Sequence, residues 1–117
     1  MDNPANAVYL RKRWREDRVK YNLELIALYL LKIKSTYAYG MRLDLREIIN
    51  TDLDDTNIRS ALHRLRRKGY AKSSRFKKKT NKPVDFRITP KGMEYFEVGR
   101  TVFEDIGSFL SSEDSKV

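Results

Sequence analysis

The chain contains no cysteine, which excludes a disulfide-stapled scaffold and every cysteine-based zinc finger while leaving the redox compartment open. Histidine is limited to His63. There is no glycine-rich phosphate loop, no metal-ligand spacing and no nucleophile motif. The paired carboxylates Asp54-Asp55 and Glu104-Asp105 read as helix caps and solvated surface, and Asp44, Glu47 and Asp52 lack the spacing of a metal loop. An enzyme is therefore not expected, and no cofactor is implied. Long apolar runs are missing too. The most apolar stretch, Leu23 to Leu31, is interrupted by Glu24 and is too short to span a bilayer. Residues 1–20 lack the apolar segment of a secretory signal, so a cytoplasmic, nucleoid-associated protein with no membrane partner is expected. Internal repeats are also absent.

The most telling absence is local. From Asn57 to Lys82 there is no Asp or Glu, yet the run holds eleven Lys and Arg. The chain carries +9, so removing these eleven leaves −2 for everything else. Positive charge concentrated on one helix and the hairpin after it is the electrostatic footprint of a nucleic-acid binder. Phosphates supply the missing negative charge, and counterion release makes such binding salt-dependent. The 117 residues suit one domain, and an apolar content of 40% allows a modest core. A charged fraction of 35% implies much exposed surface.

Asn3-Pro4 reads as an N-cap and first-turn proline opening a helix to about Asp17. Ala7, Leu10 and Trp14 fall on one side of it and Arg11, Lys12, Arg13, Arg15 and Arg18 on the rest. That helix suits a solvated surface, a basic arm or a dimer element. Asn22 can cap the next helix, in which Leu23, Ile26, Ala27, Leu30 and Ile33 repeat at helical spacing as a buried face. After Ser35-Thr36-Tyr37 comes a second helix of this core with Leu45, Ile48 and Ile49. Asp54 or Asp55 then caps a third, ended near Lys68 by Gly69. Tyr70 to Phe76 and Val84 to Ile88 carry strand formers joined by a basic tip, a β-hairpin. Thr89-Pro90 opens a final helix to about Leu110.

Three helices and a hairpin, with the charge on the third helix and the hairpin, follow the order of a winged helix-turn-helix, a mainly α fold with a small β wing (α+β). At about 100° per residue, Ile58, Ala61, Leu62 and Leu65 share one arc and should be buried. The opposite arc presents Thr56, Ser60, His63 and Arg67, flanked by Asn57 and Arg64. Such side chains hydrogen-bond base edges and phosphates, Arg and Asn bidentately. Arg59 on that helix and Lys72, Arg75, Lys77, Lys78, Lys79 and Lys82 on the hairpin complete the expected DNA-binding set, the tip lysines tracking phosphates or a minor groove.

Residues 23–98 resemble the PadR-like branch of winged-helix regulators. The matching segments are Leu25-Ile26-Ala27-Leu28-Tyr29-Leu30-Leu31, then Tyr39-Gly40-Met41, then Ile58 through Tyr70, and most specifically Phe86-Arg87-Ile88-Thr89-Pro90-Lys91-Gly92. The resemblance implies a dimeric, sequence-specific regulator. Asp52, Asp54 and Asp55 before the third helix depart from the pattern, as does a single final helix where many members carry several. The architecture is closer to compact archaeal, plasmid or viral relatives, and little chain remains for an effector pocket, so no small-molecule effector is expected.

In the last helix Gly92, Phe96, Gly99, Phe103, Ile106 and Leu110 recur in alternating steps of four and three. That is a heptad seam. Phe96, Gly99, Phe103, Ile106 and Leu110 are therefore expected to form a homodimer interface, in which Phe103, Ile106 and Leu110 meet the second subunit while a monomer could bury Phe96 against its own core, with two recognition helices on successive grooves. The expected units are a basic helical extension over 1–21, the winged domain over 22–89, a dimerisation helix over 90–111 and a flexible polar tail over 112–117. A repressor that occludes a promoter leads. A DNA-coating, partition-adaptor or chromatin-like role, or RNA binding, are the alternatives.

Overall fold

The computed structural model describes residues 4–74 and 84–112. The helices are α1 (Pro4–Tyr21), α2 (Leu23–Ile33), α3 (Ala38–Ile49), α4 (Asp55–Arg67) and α5 (Pro90–Leu110), with strands β1 (Ala71–Ser73) and β2 (Phe86–Ile88) between α4 and α5. This is the expected winged helix-turn-helix order. The expected Asn3 cap and most of the polar tail, residues 113–117, lie outside the described residues.

The core gathers around α2. Its Leu23, Ala27, Leu28, Leu30 and Leu31 are buried, and they meet Met41 and Leu45 of α3 and Ile58, Ala61, Leu62 and Leu65 of α4. Phe96 of α5 and Phe86 of β2 close the cluster. All four residues of the expected buried arc of α4 are fully inaccessible to solvent. The apolar flank residues Leu25, Leu28, Tyr29 and Leu31 of α2 call for cover on more than one side, and the structure supplies it. Ile33 is 58% exposed, while Leu28 and Leu31 are buried, because α4 and α5 cover α2 from two sides and Ile33 lies in its last turn. Ile48 of α3 is likewise exposed.

The joint between α1 and α2 is shorter than expected. Nothing between Asp17 and Tyr21 breaks a helix, so α1 continues to Tyr21 and only Asn22 separates it from α2. Asn22 does not cap α2 through its side chain. Its Nδ2 instead donates to the Arg18 carbonyl at 2.8 Å, completing the end of α1.

At the other end of the domain the local signals act as read. The Asp54 carboxylate accepts from the Asn57 backbone N–H at 2.9 Å and caps α4. Gly69 takes φ +81, the left-handed conformation that ends a helix without a Cβ penalty. The Thr89 hydroxyl accepts from the Gly92 N–H at 3.0 Å, capping α5, and itself donates to the Gly69 carbonyl at 2.7 Å. One threonine thus ties the start of α5 to the end of α4.

The wing is a two-stranded antiparallel ladder in which Ala71 pairs with Ile88, Lys72 with Arg87 and Ser73 with Phe86. Of the expected strand residues, Tyr70, Ser74, Val84 and Asp85 fall outside β1 and β2, and Arg75 and Phe76 lie outside the described residues; Ser74 N–H still donates to the Asp85 carbonyl at 2.8 Å. A third segment joins it. Thr36, in the α2–α3 linker, donates its N–H to the Phe86 carbonyl at 3.0 Å and accepts from Phe86 N–H at 2.8 Å. The wing root is thereby hydrogen-bonded to the helical platform.

Candidate nucleic-acid interface

Helix α4 is amphipathic because its apolar residues recur at three- and four-residue steps, and burying them fixes what the other side displays. Thr56, Arg59, Ser60, His63, Arg66 and Arg67 are exposed, and Asn57 and Arg64 are half-buried on one flank. The two flanks differ. On the wing side, Arg66 Nη1 donates to Ser73 Oγ at 3.2 Å, linking the cationic helix to β1 next to Lys72. The His63 ring meets Phe86 of β2 edge-on, with centroids 5.7 Å apart. On the other side, Arg64 and Lys68 face α2, where the Glu24 carboxylate lies 3.6 Å from Arg64 Nε and accepts a hydrogen bond from Lys68 Nζ at 3.0 Å.

The His63 imidazole is held below its usual pKa, first by its partial burial and then by the positive charges of Arg66, Arg67 and Arg59. Those three arginines crowd their charge on one side of a single helix with no carboxylate between them. Lys72 and Arg87 stand directly opposite each other across the ladder, both exposed on the strand face away from buried Ala71 and Phe86. Like charges so placed repel unless an anion lies between or over them.

A cleft lined by Tyr37, Tyr39, Arg59, His63 and Phe86 opens between the start of α3, the outer arc of α4 and the wing root. Behind it, an ion-pair clamp orients α4 on the platform. Asp52 accepts from Arg46 Nε at 2.9 Å and Arg42 Nε at 3.2 Å, and Arg42 Nη1 reaches Asp55 at 3.4 Å. The hydrogen bonds from Arg46 and Arg42 hold the Asp52 carboxyl below its usual pKa. The same Asp52 bond is the leading cause of the raised Arg42 pKa. The acidic turn before α4, a departure from the family pattern in sequence, is therefore capping and clamping structure.

The expected DNA-binding residues fall into three groups. Thr56, Asn57, Arg59, Ser60, His63, Arg64 and Arg67 share the solvent side of α4, and Lys72 stands on the wing. Arg75, Lys77, Lys78, Lys79 and Lys82 lie outside the described residues. The structure adds Arg87, Tyr37 and Tyr39 to this surface, and Arg66 of the basic run stands on it beside Arg59. Arg66 was legible from its helical angle beside Arg59, and Arg87 from strand alternation between buried Phe86 and half-buried Ile88. The tyrosines depend on how α3 meets the wing, for which the sequence carries no local signal.

The dimer seam needs correction. Phe96 is buried in the chain's own core, its ring 6.0 Å from Tyr29. At Gly99 an added Cβ would come within 2.7 Å of Leu25 Cδ1, and at Gly92 it would collide with the Tyr70 carbonyl. The first half of the seam is thus filled by α2 and the wing root of the same chain. Phe103, Ile106 and Leu110, beyond that contact, are 46%, 49% and 75% exposed.

No protein-family model matches the chain, and no curated protein matches it. Solved structures do. A transcriptional regulator from Clostridium thermocellum superposes with a TM-score of 0.74 at 25% identity, covering 85% of this chain and 99% of that one. A PadR family transcription regulator from Clostridium difficile gives 0.66 at 18% identity, covering 76% and 94%. A PadR-like transcriptional regulator from Bacillus cereus gives 0.63 at 20% identity, covering 83% and 99%. The chain has the PadR-like winged-helix fold.

Proposed function

We propose that this protein is a sequence-specific, duplex-DNA-binding transcriptional regulator that acts as a homodimer and represses by occluding a promoter. The observation that carries this reading is the outer arc of α4, where Arg59, Ser60, His63, Arg66 and Arg67 face solvent without an acidic neighbour on that arc. The similarity to structures described as transcriptional regulators supports it. In this reading α4 enters the major groove, where Arg67 and Asn57 can make bidentate contacts to guanine and adenine and Thr56 and Ser60 can bond either base. Lys72 and the tip residues Arg75, Lys77, Lys78, Lys79 and Lys82 take phosphates, which position the protein without reading sequence. A cytoplasmic, nucleoid-associated location follows from that partner.

The dimer rests on Phe103, Ile106 and Leu110, which are exposed along one stripe of α5; Leu10 and Trp14 of α1 are exposed as well. A contiguous set of large apolar side chains left in water marks an association surface. A two-fold dimer that enters successive major grooves has to hold its two copies of α4 about 34 Å apart, one turn of the duplex, and calls for a pseudo-palindromic site. Selection of bound sequences from a random duplex library, followed by footprinting, tests the whole reading. One protected inverted repeat is expected. Protection that spreads along DNA with rising concentration overturns regulation in favour of coating, and preference for structured RNA overturns duplex recognition.

A further inference from the structure

Among the acids of the described residues, Glu24 is the one whose carboxylate pairs with the basic side chains Arg64 and Lys68 at the C-terminal end of α4. It sits in the first turn of α2, where the helix dipole favours a negative charge. From there its two oxygens serve two cations of α4: Oε2 lies 3.6 Å from Arg64 Nε and Oε1 accepts from Lys68 Nζ at 3.0 Å. Both cations remain partly open to solvent, at 41% and 49%, so the pairing neutralises charge that would otherwise face a polyanion. Arg64 is also the residue that borders the exposed arc on this flank, one helical turn from Ser60 and Arg67. The opposite flank has no such partner among the described residues: Arg66 bonds only the neutral Ser73 hydroxyl.

We propose that Glu24 is a specificity-determining residue: its carboxylate occupies Arg64 and Lys68 as a phosphate would, so that these two charges do not contribute to binding at arbitrary sequence. Affinity for random duplex comes almost wholly from neutralised phosphates, whereas affinity for the proper site adds base contacts. An acid that withholds two cations lowers the first more than the second. Arg64 then exchanges Glu24 for DNA only where α4 is fully seated. This inference rests on the reading of α4 as the DNA-binding helix.

The test compares the native chain with Glu24→Gln on a random-sequence duplex and on the duplex enriched by selection, across a salt series. Glu24→Gln is expected to bind random duplex several-fold more tightly at low salt. The slope of log affinity against log salt should steepen by about 0.9 for each phosphate newly met, or up to about 1.8 for both cations. The ratio of specific to random affinity should fall. Arg64→Gln and Lys68→Gln in the native background should leave the random-duplex slope unchanged, which keeps the test independent of how Glu24→Gln folds. In the Glu24→Gln background each should take back its share of the gain.

An unchanged slope and ratio in Glu24→Gln overturns the proposal, as does a slope that flattens by about 0.9 in either single cation variant. A native chain that binds no duplex at all overturns the DNA-binding reading itself. The two failures are therefore distinguishable.

Discussion

Replacing Gly92 with alanine tests the contact that seats α5 on the wing root. An added Cβ there would meet the Tyr70 carbonyl oxygen well inside contact distance, with the Tyr70 carbonyl carbon at 2.9 Å and Ile88 Cγ1 at 3.0 Å. Two of these three atoms are backbone and cannot swing aside. The same carbonyl accepts from Thr89 N–H at 3.1 Å, so moving it disturbs the cap of α5 as well. Forcing extra volume into such a site costs about 1–3 kcal/mol, and weakening a cap costs about 1 kcal/mol. Against this, alanine is about 1 kcal/mol better than glycine inside a helix. The net expectation is a loss of about 2 kcal/mol, or about 10 °C in the unfolding midpoint for a domain of this size.

Two further glycines of the same helix serve as internal controls. At Gly107 nothing lies within 4 Å of an added Cβ, so Gly107→Ala should gain up to about 1 kcal/mol from helix propensity alone. At Gly99 the obstacle is the flexible end of Leu25, which places Gly99→Ala between the other two. Thermal unfolding followed by circular dichroism at 222 nm gives the order directly. If Gly92→Ala melted at or above the native midpoint, helix propensity would govern α5 and the close approach to Tyr70 would carry no weight.

Arg67→Ala should cost about 1–3 kcal/mol on the selected site and much less on random duplex, as measured by fluorescence anisotropy; equal losses would show that α4 reads no bases. Replacing Phe103 and Ile106 together with glutamate should yield a monomer by light scattering at micromolar concentration, with the helical circular dichroism signal retained. A native chain already monomeric under those conditions refutes the dimer. Asp52 titrates below its unfolded value, so its contribution to stability is present above the ordinary carboxylate pKa and is lost as pH falls through the lowered one. Urea midpoints should therefore drop in acid, less steeply for Asp52→Asn, and identical slopes for the two chains would remove the clamp from consideration. His63 behaves with the same sign, since burial and three arginines depress its pKa: its imidazole opposes folding as it becomes charged. His63→Phe should flatten the fall in stability below the ordinary histidine range.

What was legible in the sequence was what local chemistry and period decide. The buried arc of α4 follows from four apolar residues at fixed angles, and the Asp54 and Thr89 caps follow from residue type next to a helix start. Gly69 follows from the need for a left-handed stop. The reading weakened where two elements share one surface. A heptad pattern says that Phe96 and Gly99 are on the same stripe as Phe103 and Ile106, but it does not say where the stripe passes from α2 of the same chain to solvent. That boundary depends on the length of α2 against that of α5. Arg64 posed a similar problem. Its charge and helical angle fit a DNA-facing flank, while its contact with Glu24 arises only when α2 and α4 are packed.

The two hydrogen bonds between Thr36 and Phe86 have a mechanical consequence. Phe86 belongs to the wing and also abuts His63 on α4, so the linker ahead of α3, the hairpin and α4 are cross-braced at one point. A hinge between hairpin and helices would have to break both backbone bonds and the aromatic contact together. In the proposed DNA-bound dimer this face would then meet the double helix as a single stiff tool, and any accommodation of unequal half-sites would come from the long outer reach of α5.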